Sequence, residues 1–245
     1  MSISDKNKKF SKLAALFVLL LFAIWFLSTK DMIATESHIF EVKKGSSMGS
    51  IAKELSNKGL IKSELFFTSF SKFLNANKKL KSGYYEILPG TSVWTFIDKI
   101  STGSVLSTKV TLIEGKTIKF YFNQLTNDPS IKPSGSLKEV MTSIGINEPY
   151  DGWFFPETYS FNYGESLENV LKRAHQELMK NLMVLWDQRD KGLPLKSPYE
   201  AIILASLIEN ETALDEEKSL IAGVFIRRLN EGMRLQTDPT VIYAL

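Results

Sequence analysis

Residues 40–55 read FEVKKGSSMGSIAKEL, and the same order of residue types returns at 85–100, YEILPGTSVWTFIDKI, and at 110–125, VTLIEGKTIKFYFNQL. Each stretch opens on a short alternating run, Phe40-Glu41-Val42, Tyr85-Glu86-Ile87 or Val110-Thr111-Leu112, with the period of a half-buried strand. A glycine follows (Gly45, Gly90, Gly115), then a hydroxyl residue suited to cap a helix (Ser47, Ser92, Thr117). Apolar residues then recur at i, i+3 and i+7: Met48-Ile51-Leu55, Val93-Phe96-Ile100 and Ile118-Tyr121-Leu125. The spacings, 45 residues and then 25, are too uneven for a solenoid. The pieces predict small modules of strand and helix, and an α+β fold class.

Between the first two units, Ser63 is placed to cap a further helix from Glu64 to Leu74, rich in Phe66, Phe67, Phe70 and Phe73. The stretch from 38 to 106 resembles a LysM-like module, a strand–helix–helix–strand (βααβ) fold associated with N-acetylglucosamine polymers. Tyr84, Tyr85 and Trp94 have two readings there: they stack on sugar rings, or they fill a small core.

The chain has 245 residues, 44% hydrophobic and 23% charged, which excludes long disorder, collagen-like repeats and a polytopic membrane protein. It contains no cysteine, so no disulfide and no cysteine-ligated metal centre holds it together. The formal net charge of +3 is unevenly spread. Residues 1–30 carry five lysines against Asp5, whereas the other 215 hold 25 basic and 26 acidic side chains. A body so near neutrality is not the footprint of a nucleic-acid binder.

The basic excess precedes an apolar run. Leu13 to Leu27 is fifteen residues without a polar side chain, and Phe10 to Thr29 gives twenty, enough to cross a bilayer with Lys12 snorkelling and Trp25 near the far boundary. The expectation is a cytoplasmic basic tail at 1–9, a transmembrane helix at 10–29 and the rest of the chain outside the cytoplasm, anchored to the cell (inner) membrane. The rivals are a cleaved signal peptide, for which Thr35 with Ser37 is the one faint cleavage pattern, and a buried core helix. Neither GxGxxG nor GxxxxGK[ST] occurs, in keeping with a compartment poor in nucleotide cofactors.

Toward the C-terminus, an amphipathic helix is readable from Ser166, with Leu167, Val170, Leu171, Ala174, Leu178, Leu182 and Leu185 on one face and Gly192 at its end. His175 lies on it, and His38 is the only other histidine, so both read as structural or surface residues and no metal site is expected. Ser197-Pro198-Tyr199-Glu200 starts the next helix with a capping box and a proline at its first position. Ala201 to Ile208 is apolar except for Ser206, the pattern of a helix buried on most sides. Glu209 follows Ile202 and Ala205 at helical spacing. Burial and the helix C-terminus would both favour the protonated carboxyl, the state that a general acid needs. The rival reading pairs Glu209 with Arg227, Arg228 or Arg234 as a structural ion pair. Glu157 is a lesser acid candidate.

The runs ILASLIENETA (residues 203–213), GVFIRRLNEGMRLQTDPTVIYAL (223–245) and DGWFFPETY (151–159) resemble the endolytic murein transglycosylases of the MltG/YceG-like family. The resemblance implies a catalytic domain over 107–245 in which Glu209, first glutamate of the ExE pair, is the catalytic acid/base. It implies a lytic transglycosylase that needs one carboxylate and no cofactor. Glu209 would protonate the oxygen between N-acetylmuramic acid and N-acetylglucosamine, and the muramoyl C6 hydroxyl would close a 1,6-anhydro ring. Glu211, two residues on, points elsewhere and would orient a neighbour. Gln236, Thr237, Asp238, Thr240 and Tyr243 form a polar cluster suited to sugar hydroxyls, although Asp238-Pro239 is equally a turn or helix start. Trp153 and Tyr159 are expected to stack on saccharide, and Phe154 and Phe155 to fill the core. The family continues beyond the position of Leu245, so either this is a fragment or the remainder of the groove is absent.

The partners implied are peptidoglycan glycan strands, the membrane and peptidoglycan synthases, with no nucleic acid. The function implied is cleavage within nascent strands near the membrane, ending their elongation. The rival, from another class, is a noncatalytic glycan-binding anchor that tethers wall-synthesis enzymes.

Overall fold

A computed structural model describes residues 30–242 and the isolated positions Phe17, Leu19 and Ala23. The described chain is α+β and divides into two compact units between Ser107 and Thr108. The expected transmembrane helix at 10–29 lies outside the described residues except at those three positions and Lys30 does not extend it. Among the described residues no helix is long and apolar enough to cross a membrane. The longest, Leu167–Gln188, carries Glu168, Lys172, Arg173, Glu177, Lys180 and Asp187. The single-pass architecture is therefore corrected: the fold described is α+β without a spanning helix.

In the first unit, strand β1 (His38–Val42) pairs antiparallel with β2 (Gly83–Ile87), placing Phe40 opposite Tyr85 and His38 opposite Ile87. Helices α1 (Met48–Asn57) and α2 (Glu64–Phe73) and a 3-10 turn (Ala76–Lys78) lie between the strands, and α3 (Val93–Thr102) follows them. The hydroxyl residues cap as their sequence positions require. Ser47, Ser63 and Ser92 accept from the backbone N–H groups of Ser50, Phe66 and Thr95. Phe96 is the hub of the core, with Phe40 5.8 Å away edge-on and Phe67 and Tyr85 each at 6.4 Å. Tyr85 is fully buried and donates its hydroxyl to the Lys81 carbonyl at 2.9 Å, so it is a core residue. Trp94 is 56% exposed.

In the second unit, β3 (Ser107–Thr111) pairs with β5 (Thr158–Asn162), and the short β4 (Ile131–Lys132) runs parallel to β6 (Glu165–Ser166). Helices α4 (Ile118–Thr126), α5 (Leu137–Ser143) and the first half of α6 (Leu167–Gln188) close one core around Leu112, Leu125, Met141, Leu167 and Leu171. Helices α7 (Pro198–Glu211) and α8 (Asp215–Asn230) share a smaller core of Leu204, Leu207 and Phe225, and α9 (Asp238–Ile242) follows. Helix α6 ends at Gln188 rather than at Gly192, because Arg189 is already extended. Helix α7 is not buried on most sides as its composition predicts: Leu204 and Leu207 are buried, whereas Ile203 is 44% exposed. Burial pushes the phenols of Tyr121 and Tyr159 up to about 12, helped by Glu114 and Asp151 at Tyr121 and by Glu157 and Glu177 at Tyr159.

Two outcomes are expected. Phe96→Ala removes the ring that three others meet and should cost about 3–5 kcal/mol in urea unfolding, whereas exposed Trp94→Ala should stay within about 0.5 kcal/mol. Equal losses would show that Phe96 is not the hub. On the alkaline side, the unfolded chain releases phenolic protons near pH 10 that the fold retains until about 12. Stability should hold up to about pH 10 and fall between there and about 12, read by thermal unfolding. Conversion of both tyrosines to phenylalanine should flatten that fall.

Candidate active site

Helix α7 starts at Ser197, whose hydroxyl accepts from the Glu200 N–H, with Pro198 at the first position where a missing N–H costs nothing. From this start the 3.6-residue period turns Tyr199, Ile202, Ser206 and Glu209 to one side and Leu204 and Leu207 to the other. The second side packs on Phe225 of α8. The first side forms a wall of a cavity of about 690 Å³, with Glu209 on its lining. The stripe read from the sequence is thus a real face, but it looks into a cavity and not into a core.

Three further walls complete the cavity. One is the loop Glu114–Thr117 after β3, where Gly115 comes so near α7 that a Cβ would stand 3.2 Å from Asn210 Oδ1. Another is the segment Asp151–Pro156. Gly152, at φ +83, lies where a Cβ would meet Ile202 Cγ2 at 2.8 Å. The last is the second half of α6, through Leu178, Leu182 and Trp186. Asp151 ties two walls together: its carboxylate accepts from the Ile118 N–H at 2.6 Å, and its carbonyl accepts from the Tyr199 hydroxyl at 3.3 Å. The lining is mainly apolar, with Glu114, Lys116, Asp151, Asn181, Arg189 and Glu209 as its charged and amide groups.

Glu209 is not desolvated in the way its sequence neighbours suggest, for its side chain keeps 30% exposure. Its ion-pair partner is none of Arg227, Arg228 or Arg234. Lys218 Nζ donates to Glu209 Oε2 at 2.8 Å and also meets Asp215 Oδ1 at 2.8 Å. Hydrogen bonds from Lys218 to Asp215 and Glu209 hold its ammonium well above the usual lysine range, and the same contact lowers Asp215. The turn between α7 and α8 is pinned by Thr212, which accepts from the Leu214 N–H and donates to Glu217 at 2.7 Å.

The other expected site residues separate from Glu209. Glu211 is off the cavity and accepts from the Thr237 hydroxyl, while Thr240 donates to the Thr237 carbonyl at 2.6 Å. Thr237 is buried, and Gln236 and Asp238 are exposed outside the cavity lining. Tyr243 lies outside the described residues. Trp153 stacks on Tyr199 with centroids 4.8 Å apart and donates its indole N–H to the Pro149 carbonyl, which supports the cavity wall from behind. Tyr159 is a core residue whose hydroxyl donates to the Phe155 carbonyl at 2.7 Å. Phe155 and Phe154 line the cavity instead of only filling the core. Glu157 is exposed and accepts from the Thr158 N–H. His175 meets the Trp153 carbonyl at 2.9 Å. No group of three or more metal-ligating side chains is found among the described residues.

The model of the YceG-like family matches residues 40–245. An endolytic murein transglycosylase of Bacillus subtilis (strain 168) is 28% identical over 229 residues, covering 83% of this chain and 62% of the relative. An endolytic murein transglycosylase of Streptococcus pneumoniae (strain ATCC BAA-255 / R6) is 28% identical over 237 residues, covering 83% of this chain and 42% of the relative. The chain thus spans between 42% and 62% of the length of these relatives. A solved yceG-like protein from Listeria monocytogenes aligns over 86% of this chain and 76% of its own, with 24% identity and a TM-score of 0.39. With the family model matched over all but the first 39 residues, the chain belongs to the YceG-like family.

Proposed function

We propose that this chain carries the acid/base carboxyl of a peptidoglycan lytic transglycosylase, and that Glu209 is that group. The observation that supports the reading most directly is the presentation of Glu209, on a helix seated by Leu204 and Leu207, to a cavity of about 690 Å³. That volume lies in the range of ligand sites. The relatives named endolytic murein transglycosylases support the substrate class.

In this reading a glycan strand lies along the cavity with the N-acetylmuramic acid–N-acetylglucosamine bond at Glu209. The carboxyl gives its proton to the bridging oxygen as the C1–O bond breaks. The muramoyl C6 hydroxyl forms the new bond to C1, and its proton returns to Glu209. The ring closes as a 1,6-anhydro sugar, no water is consumed and the carboxyl ends as it began. A single carboxyl suffices, unlike the pair that glycoside hydrolysis normally uses. Glu211 has a different part: it holds Thr237 and with it the segment that leads into α9. Cleavage within strands, rather than from their ends, follows the relatives' names, and the substrate's location sets the site of action outside the cytoplasm. The first unit offers a LysM-like glycan contact through exposed Trp94 on α3, the helix that follows the βααβ part.

Glu209→Gln keeps the side chain's size but removes the transferable proton. In the full-length protein it should lower the formation of 1,6-anhydro ends by at least ~10²-fold, measured by mass spectrometry of uncrosslinked strands. Glu211→Gln should keep more activity. Anhydro ends at the parent rate in Glu209→Gln would sink the assignment, and reducing ends in the parent would replace transglycosylation by hydrolysis. For the first unit, Trp94→Ala in the whole chain should weaken its co-sedimentation with purified peptidoglycan, and unchanged sedimentation would leave Trp94 without a glycan role.

A further inference from the structure

Lys218 is placed against ordinary helix electrostatics. It lies in the opening turn of α8 beside Asp215, Glu216 and Glu217, where the helix N-terminus favours acids and opposes a cation. Glu209 has the converse problem, an acid in the last turn of α7, where the carbonyl end opposes a negative charge. The two misplaced charges meet each other at 2.8 Å. Among the described residues, Lys218 is the cation within ion-pair distance of Glu209, and the cavity's own Lys116 and Arg189 make no such pair.

We propose that Lys218 is a positioning residue of this site: braced by Asp215, its ammonium holds Oε2 of Glu209 and so fixes the carboxyl at the cavity wall, with Oε1 left to carry the proton that is transferred. The proposal rests on the reading of Glu209 as the reacting acid. Asp215 is 93% exposed and contributes little packing, so its part is to keep the ammonium in place. The Thr212–Glu217 bond sets the turn that brings the two helix ends together. Without the ammonium, a side chain with 30% exposure at the end of a helix would sample several rotamers, few of which reach the substrate oxygen.

The test combines kinetics with a substrate-free readout in the full-length protein. Lys218→Met should lower kcat for anhydro-end formation about 10- to 100-fold with KM within about twofold, because orientation and not binding is lost. Lys218→Arg should recover most of kcat, and Asp215→Asn should lower it less than Lys218→Met. Independently of turnover, the Lys218 ammonium ¹⁵N resonance should move in both Glu209→Gln and Asp215→Asn. An unmoved resonance, or a kcat in Lys218→Met equal to the parent's while Glu209→Gln is inactive, overturns the positioning role alone. Full activity in Glu209→Gln overturns the underlying reading instead.

Discussion

The seat of helix α7 on α8 is the contact from which the geometry of the candidate site follows. Leu204 and Leu207 bury one face against Phe225, and helical geometry then leaves no choice about where the opposite face points. Tyr199, Ile202, Ser206 and Glu209 must line whatever faces α7, and what faces it is a cavity. A group carried on a packed helix is held more closely than one on a loop, because its backbone cannot drift without breaking i to i−4 hydrogen bonds. The small core is thin, three buried residues with a fringe of half-buried ones, so the position of Glu209 is sensitive to every side chain in it.

Around that seat the polar contacts divide into two groups. On the cavity side, Asp151 joins the start of α4 to the start of α7 through Ile118 and Tyr199. On the far side, Glu211, Thr237 and Thr240 form a chain that ties the segment before α9 to the end of α7. The two glutamates of the ExE pair thus serve opposite faces of one helix end, as a separation of about 200° along an α-helix requires.

Local signals were legible where their cause is local. The Ser/Thr caps, the i, i+3, i+7 stripes and the start of α7 at Ser197-Pro198 depend on residues within a few positions of one another, and each appears where the sequence sets it. The Ser136–Glu139 capping box that opens α5 carries the same local signal. Periodicity, however, identifies a face and not its surroundings, and this is why Glu209 was expected to be buried. For Tyr159 the surroundings are set by its strand: the alternation of β5 turns Tyr159 and Phe161 inward. Lys218 left no signal, since its approach to Glu209 depends on the bend at Thr212–Leu214. Glu114 and Asp151 likewise enter the cavity only through packing of segments far apart in the chain.

Gly115 and Gly152 bring two loops against α7: a Cβ would press on Asn210 Oδ1 at 3.2 Å from the first and collide with Ile202 Cγ2 at 2.8 Å from the second. Both have positive φ, so a side chain at either position is strained by its backbone, and at Gly152 by space as well. Two walls are therefore in van der Waals register with the helix that bears Glu209 before any ligand arrives. A ligand entering such a site need not order its host. The loss of loop entropy is incurred once, on folding, and does not recur with each molecule bound. The rate of capture should then be set by diffusion and orientation of the ligand rather than by waiting for a competent conformation of the protein.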